Sequence, residues 1–134
     1  RTEDGNACLM DGDGMPIWTG DINYKGEVPA DITLYKNTIW ACYKKAGVLI
    51  RFNLNTMREE LRIGGQNSPF NAPCNIFADE NTAIISNENS NIISKVDLNS
   101  YTVEKYKEFT EKVYQYVKVK DTEFVLLESG IYVL

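Results

Sequence analysis

Residues 29–60, PADITLYKNTIWACYKKAGVLIRFNLNTMREE, are written a second time as residues 73–104, PCNIFADENTAIISNENSNIISKVDLNSYTVE, 44 positions on and without a gap. The frame puts Pro29 on Pro73, Ile32 on Ile76, Asn37 on Asn81, Thr38 on Thr82, Leu54 on Leu98, Asn55 on Asn99 and Glu60 on Glu104. These matches exceed chance, which supplies an identity at roughly 6% of positions for ordinary compositions. Conservative pairs fill the intervals: Val48 with Ile92, Arg51 with Lys95, Asn53 with Asp97, Thr56 with Ser100. Self-similarity at this period marks a repeat architecture, in which each unit buries its apolar faces against its neighbours.

The unit itself reads as strands. Residues 31–35 alternate polar and apolar, 38–43 are aromatic and β-branched, and 47–54 alternate Val48, Ile50, Phe52, Leu54 against Leu49, Arg51, Asn53. Period two in short runs bounded by polar turns is the strand signal. A more polar fourth segment, 59–63, ends at Gly64-Gly65. The second copy repeats the order at 75–78, 82–86, 91–98 and 102–109. A helical solenoid would need apolar spacing of three and four over ten or more residues, with Asn, Thr and Gly kept out of helix interiors. Only 103–116, rich in Glu and Lys, invites that reading, and its alignment with residue 59 onward argues for strand. Four antiparallel strands in about 44 residues, a short inner one and a polar outer one, make the blade of a β-propeller.

Outward extension of the frame adds parts of two more units. Residues 15–20 fall on the fourth-strand position and 6–11 on the third, while 113–120, 123–128 and 130–134 fall on the first three positions of another unit. The expected fold is therefore all-β, a partial β-propeller over 1–134: a half blade at 1–20, blades at 29–64 and 73–109, and an incomplete blade at 113–134. Buried positions are expected to include Leu34, Ile39, Ala41, Ile50, Phe52, Ile84, Ile93, Val96, Val125 and Leu127. Propellers close into rings of about four to eight blades, since open edges invite uncontrolled pairing. About three blades cannot close, so the ring is incomplete, and another chain or further blades are expected to complete it.

The stretches Ile50-Arg51-Phe52-Asn53-Leu54-Asn55-Thr56 and Ser94-Lys95-Val96-Asp97-Leu98-Asn99-Ser100, each after a Pro-initiated inner strand and a hairpin, resemble the repeats of YVTN and NHL type propellers. There is no Tyr-Val-Thr-Asn string, and Trp18 and Trp40 are followed by Thr19 and Ala41 rather than completing WD-repeat pairs. The resemblance implies a fold whose members include binding platforms, lectins and a few enzymes, so function has to come from the site.

Composition narrows the partners. A net charge of −5 disfavours a phosphate-binding surface, and the basic run at 112–120 alternates with apolar residues as one face of a strand. Nucleic acid and membrane insertion are not expected, the latter because no apolar run approaches the ~18 residues of a span. The chain opens on Arg1, as a processed product or a piece would, and the compartment is not legible. Cys8, Cys42 and Cys74 are too few and too widely spaced for a disulfide framework, and reduced thiols are expected.

For chemistry the decisive observation is that the chain has no histidine. Imidazole bases, Ser-His-Asp and Cys-His nucleophilic sites and His-bound zinc are excluded within it. No catalytic motif and no cofactor motif is present, so no catalytic, metal or cofactor residue is expected. Asp11-Gly12-Asp13-Gly14 has the look of a calcium loop, but it falls on the turn between third and fourth strands, where Asp and Gly are ordinary turn residues.

Binding residues are expected on one rim, where connections from fourth to first strands and from second to third emerge together. The candidates are Asp21, Tyr24 and Lys25; Lys44 and Lys45; Gln66, Asn67, Phe70 and Asn71; Glu88 and Asn89. Among them Phe70 and Tyr24 stand out, because an aromatic on a loop exposes costly apolar area. Trp18 and Trp40, on strands, are read as packing between blades. The expected function is a non-catalytic platform for protein or peptide partners. The alternatives are a carbohydrate or small-ligand binder, and part of an enzyme completed by another chain.

Overall fold

The computed structural model describes residues 6–10, 12–13 and 16–134. The side chains of Cys8 and Trp18, and the ends of the Asp11–Gly14 string, lie outside that description. Thirteen strands and no helix occur among the described residues, and they form four antiparallel sheets. β1 (Asn6–Met10) pairs with β2 (Pro16–Asp21). The second sheet runs β3 (Asp31–Tyr35), β4 (Thr38–Tyr43), β5 (Val48–Asn53), β6 (Glu59–Gly64). The third runs β7 (Pro73–Asp79), β8 (Thr82–Asn87), β9 (Ile92–Asp97), β10 (Val103–Glu108), and the last β11 (Val113–Val119), β12 (Thr122–Leu127), β13 (Gly130–Val133). These are consecutive blades of a β-propeller in an open ring. The Glu- and Lys-rich stretch that could have been helical is β10 and β11.

The repeated residues explain the repeated shape. Asn53 and Asp97 each turn a side-chain oxygen onto the next backbone: Asn53 Oδ1 accepts from the N–H groups of Asn55 (2.8 Å) and Thr56 (3.1 Å). Asp97 Oδ1 does the same for Asn99 (2.8 Å) and Ser100 (3.0 Å). The chain then passes through left-handed Met57 (φ 58°) or Tyr101 (φ 61°) to start the outer strand. The resembling stretches are thus Asx-capped turns, a device of shape. The backbone carbonyls of Asn37 and Asn81 accept the Leu54 and Leu98 N–H groups, at 3.1 and 2.8 Å, so the two turns close in the same way. At Glu80-Asn81 both residues take positive φ (45° and 68°), the type I′ hairpin that suits strand twist.

Blades join through apolar cores and one recurring polar contact. Trp40, Cys42 and Leu49 of one blade meet Ile76, Ala83, Ile85 and Val96 of the next, and Ile84 and Ile93 meet Val113, Tyr116, Val125 and Leu127. Among described residues Trp40 Nε1 is the one buried side-chain polar atom without a hydrogen-bond partner, and Arg51 lies over its ring at 5.7 Å. At the first junction Asp31 Oδ2 accepts from Ile76 N (3.0 Å) and Asn75 Nδ2 (2.9 Å). At the second, Asn75 Oδ1 accepts from Tyr116 N at 3.1 Å. Asp31 and Asn75 are equivalent in the repeat, and each holds the inner strand of the following blade.

One burial expectation fails. Leu34 is 59% exposed, whereas the other nine named positions are buried. Among the described residues no inner strand precedes β3, so the face that Leu34 shares with Ile39 is open at its hairpin end.

Candidate functional site

Two adjoining grooves lie where the 22–30 connection crosses the turn from β4 to β5. The first, about 500 Å³, is lined by Tyr24, Lys25, Gly26, Glu27, Lys45 and Ala46. The second, about 580 Å³, has a floor of Val28, Pro29, Ala30 and Ala72, with Glu27, Lys44, Lys45 and Asn89 around it. Glu27 and Lys45 line both, so the two grooves adjoin as one depressed region of the rim.

Local chemistry fixes the walls. Tyr24 and Glu27 exchange backbone hydrogen bonds of 3.0 and 2.9 Å around Lys25 (φ 49°) and Gly26 (φ 80°), a tight turn in which glycine relieves the left-handed strain. The Glu27 carboxylate then accepts from the backbone N–H groups of Lys45 (2.7 Å) and Ala46 (2.9 Å), which ties the connection to the β4–β5 turn. The Tyr24 ring stands 5.7 Å from that of Tyr43, and its hydroxyl accepts from Arg62 Nη1 at 2.8 Å. Lys44 forms an ion pair with Glu88 of the next blade, and that hydrogen bond raises the Lys44 ammonium above its ordinary pKa.

Of the residues expected on this rim, Tyr24, Lys25, Lys44, Lys45 and Asn89 come together in the depression, and Glu88 borders it through Lys44. Gln66, Asn67 and Asn71 are exposed but line neither groove, and Asn71 N donates to Asn87 Oδ1 at 3.0 Å. Asp21 is exposed at the end of β2, where Oδ1 accepts from Asn23 N at 2.9 Å in a local turn. Phe70 corrects the sequence reading: at 5% exposure it packs with Trp40, Leu49 and Ile76, and so offers no surface to a partner. The connection turns its one large apolar side chain into the junction because burying a Phe ring is worth roughly 1.5–3 kcal/mol.

Sequence reasoning missed Glu27 and the floor residues 28–30 and Ala72. Glu27 aligns with Asn71, so the repeat carries no trace of its anchoring role.

Smaller clefts of about 160 Å³ open at each of two blade junctions on the opposite rim. Repeat-equivalent residues line both: Thr38 and Thr82, Trp40 and Ile84, Arg51 and Lys95. Recurrence at equivalent positions of two junctions marks them as packing space. In one of them the hydroxyls of Tyr106 and Tyr116 both donate to Glu123 Oε1, the latter at 2.8 Å. Those bonds, Tyr106 first, hold the Glu123 carboxyl below its usual range and push the Tyr106 phenol up to about 12. Among the described residues no cluster of His, Cys, Asp and Glu has the arrangement of a metal centre, and no helix is long and apolar enough to cross a membrane.

No protein-family model and no curated protein matches the chain. Solved structures do. The computationally designed Ika4 protein overlays 98% of this chain and 79% of its own, with TM-score 0.71 and 14% identity. Virginiamycin B lyase from Staphylococcus aureus overlays 98% of this chain and 48% of its own, with TM-score 0.67 and 14% identity. Saccharomyces cerevisiae Sqt1 overlays 98% of this chain and 39% of its own, with TM-score 0.70 and 9% identity. The chain thus spans less than half the length of the lyase and of Sqt1, both β-propeller proteins, and at these identities the likeness is one of fold: a β-propeller.

Proposed function

We propose that the chain is a non-catalytic interaction platform whose rim depression receives an extended segment of a protein or peptide partner. The adjacency of the two grooves, which share Glu27 and Lys45, carries the reading. An apolar floor of Val28, Pro29, Ala30 and Ala72 suits an apolar side chain of the partner. Lys25 and Lys45, both exposed, flank it and suit acidic ones, so the favoured segment alternates apolar and acidic residues. A sugar-stacking role finds less support, because Trp40 is buried at a blade junction. The repeat is read as the YVTN/NHL type on its Asx-capped turns at 53–56 and 97–100.

Fluorescence anisotropy with an array of labelled peptides tests the proposal. Acidic-apolar peptides should bind, and the double variant Lys25→Glu, Lys45→Glu should weaken binding by on the order of tenfold or more while leaving the circular dichroism spectrum unchanged. Binding that is indifferent to these charges would rule out the rim.

A further inference from the structure

We propose that the cleft between the blade of β3–β6 and the blade of β7–β10 binds a small carboxylate. The space itself is architectural, since an equivalent cleft opens at the next junction, but the two are walled differently. Residues directly opposite across antiparallel strands share a face. On β3–β5 the rows that run into the cleft are Thr33, Trp40, Arg51 and, two residues on, Tyr35, Thr38. On β7–β9 the equivalent rows are Phe77, Ile84, Lys95 and Asp79, Thr82. Ile84 therefore stands where Trp40 does, and the turn residue Glu80 where Lys36 does.

Charge separates the two clefts. Carboxylates of Asp79, Glu80 and Glu123 line the second, together with Lys95 and Lys118. Lys36 and Arg51 line the first, and no carboxylate does. Arg51 donates from Nε to Glu60 Oε2 at 2.9 Å and from Nη1 to Tyr101 Oη at 2.6 Å, and its guanidinium fork has further N–H groups to give. Lys36 Nζ reaches Asn81 Oδ1 at 3.2 Å, an acceptor that Tyr35 Oη also uses at 2.8 Å. Donors thus outnumber acceptors along this wall.

Trp40 is the independent sign of a ligand. It lines the cleft at 1% exposure, and its Nε1 is the buried side-chain polar atom left without a hydrogen-bond partner among the described residues. A buried indole N–H ordinarily has an acceptor, and an unmet one is costly. Ile84 at the next junction has no such donor, so the orphan is particular to this cleft. An oxyanion supplies the acceptors that Trp40, Arg51 and Lys36 lack. A volume of about 160 Å³ falls below the roughly 300–1,000 Å³ of pockets for drug-sized ligands, so the guest is small. The planar fork of Arg51 matches a carboxylate, while the Trp40 ring and Leu98 offer an apolar wall to a short alkyl group.

Propionate is the probe. The chain has two tryptophans, so its NMR spectrum carries two indole N–H signals, and Trp18→Phe assigns the one from Trp40. Propionate exchanged for chloride at constant ionic strength should shift the Trp40 signal along a saturable curve, with Kd on the order of 1 mM for so few heavy atoms. Lys36→Glu places there the residue that the next blade carries at the same left-handed turn position (φ 45°), so it spares the turn. It should weaken binding by about tenfold or more. Arg51→Gln should abolish binding, and Lys95→Gln, in the other cleft, should leave it unchanged. A Trp40 signal that stays in place, or moves only in proportion to concentration, would overturn the proposal. So would saturable binding that survives either Lys36→Glu or Arg51→Gln, or inorganic phosphate binding more tightly than propionate.

Discussion

Asp31 and Asn75 connect blades through single oxygen atoms, and the energetic consequence is specific. Removing the Asp31 carboxylate strands the Ile76 N–H and the Asn75 amide inside a junction. Asp31→Ala should therefore cost about 1.5–3 kcal/mol, and Asn75→Ala, with a neutral acceptor, about 1 kcal/mol, both read as urea-midpoint shifts. Equal and negligible losses would mean that the junction is held by apolar packing alone. The thiols make a second residue-scale prediction. Burial raises the Cys42 thiol far above its usual range and pushes Cys74 up to about 11. At pH 8 a thiol of that kind is roughly a thousandth ionised, against about a quarter for a free one, so native Cys42 and Cys74 should resist alkylation until the protein unfolds. Prompt labelling of Cys42 in native buffer would refute its burial. Sequence made Cys42 legible because it lies mid-strand in an apolar run; Phe70 was misread because a loop position carries no periodicity to say which way a ring turns.

Strands and turns were the most legible scale, since period-two runs and Asx residues act locally and need no knowledge of neighbours. The rim was only half legible: its loops do not repeat, and Glu27 works through a backbone 18 residues away. At β6, Gly64 has φ 101° and a Cβ there would lie 2.3 Å from the Gly47 carbonyl oxygen. Gly64→Ala should cost about 1–3 kcal/mol, or shift the strand end, and a neutral result would contradict the close approach. Acid sensitivity also belongs to the elements. Asp97, held by the N–H groups of Ser100 and Asn99, and Glu123, held by Tyr106 and then Tyr116, both have carboxyl groups below their ordinary values. A lowered folded value stabilises the protein fully above the unfolded one, and the gain is lost as pH falls through the folded value. Stability should hold from pH 7 to about 5 and decline below about 4, the ordinary carboxylate range. Glu123→Gln should flatten part of that decline in urea midpoints measured across the range; an identical acid limb in the variant would remove Glu123 from the account.

At the scale of the whole molecule, protection follows from how many faces of a strand are covered. β4 and β8 are covered on both sides: Trp40 and Cys42 face one neighbour and Ile39, Ala41 and Tyr43 the other, as Ala83 and Ile85 oppose Ile84 and Ser86. β12 is covered on one side, by way of Val125 and Leu127, and β13 is four residues at an edge. Repeats of this kind contact only their neighbours, so stability is a sum of blade and junction terms and falls toward an uncovered end. The sequence frame made this order readable, because alternate residues of each middle strand are apolar on both faces. It did not show that Leu34 would lie outside the core, because the covering of that face depends on what precedes β3 in space. Amide hydrogen exchange should therefore find β4 and β8 opening only with global unfolding. β13 should exchange through local opening, at least about a hundredfold faster. Uniform protection across all blades would mean that the last sheet already has a covered outer face, contrary to the open ring.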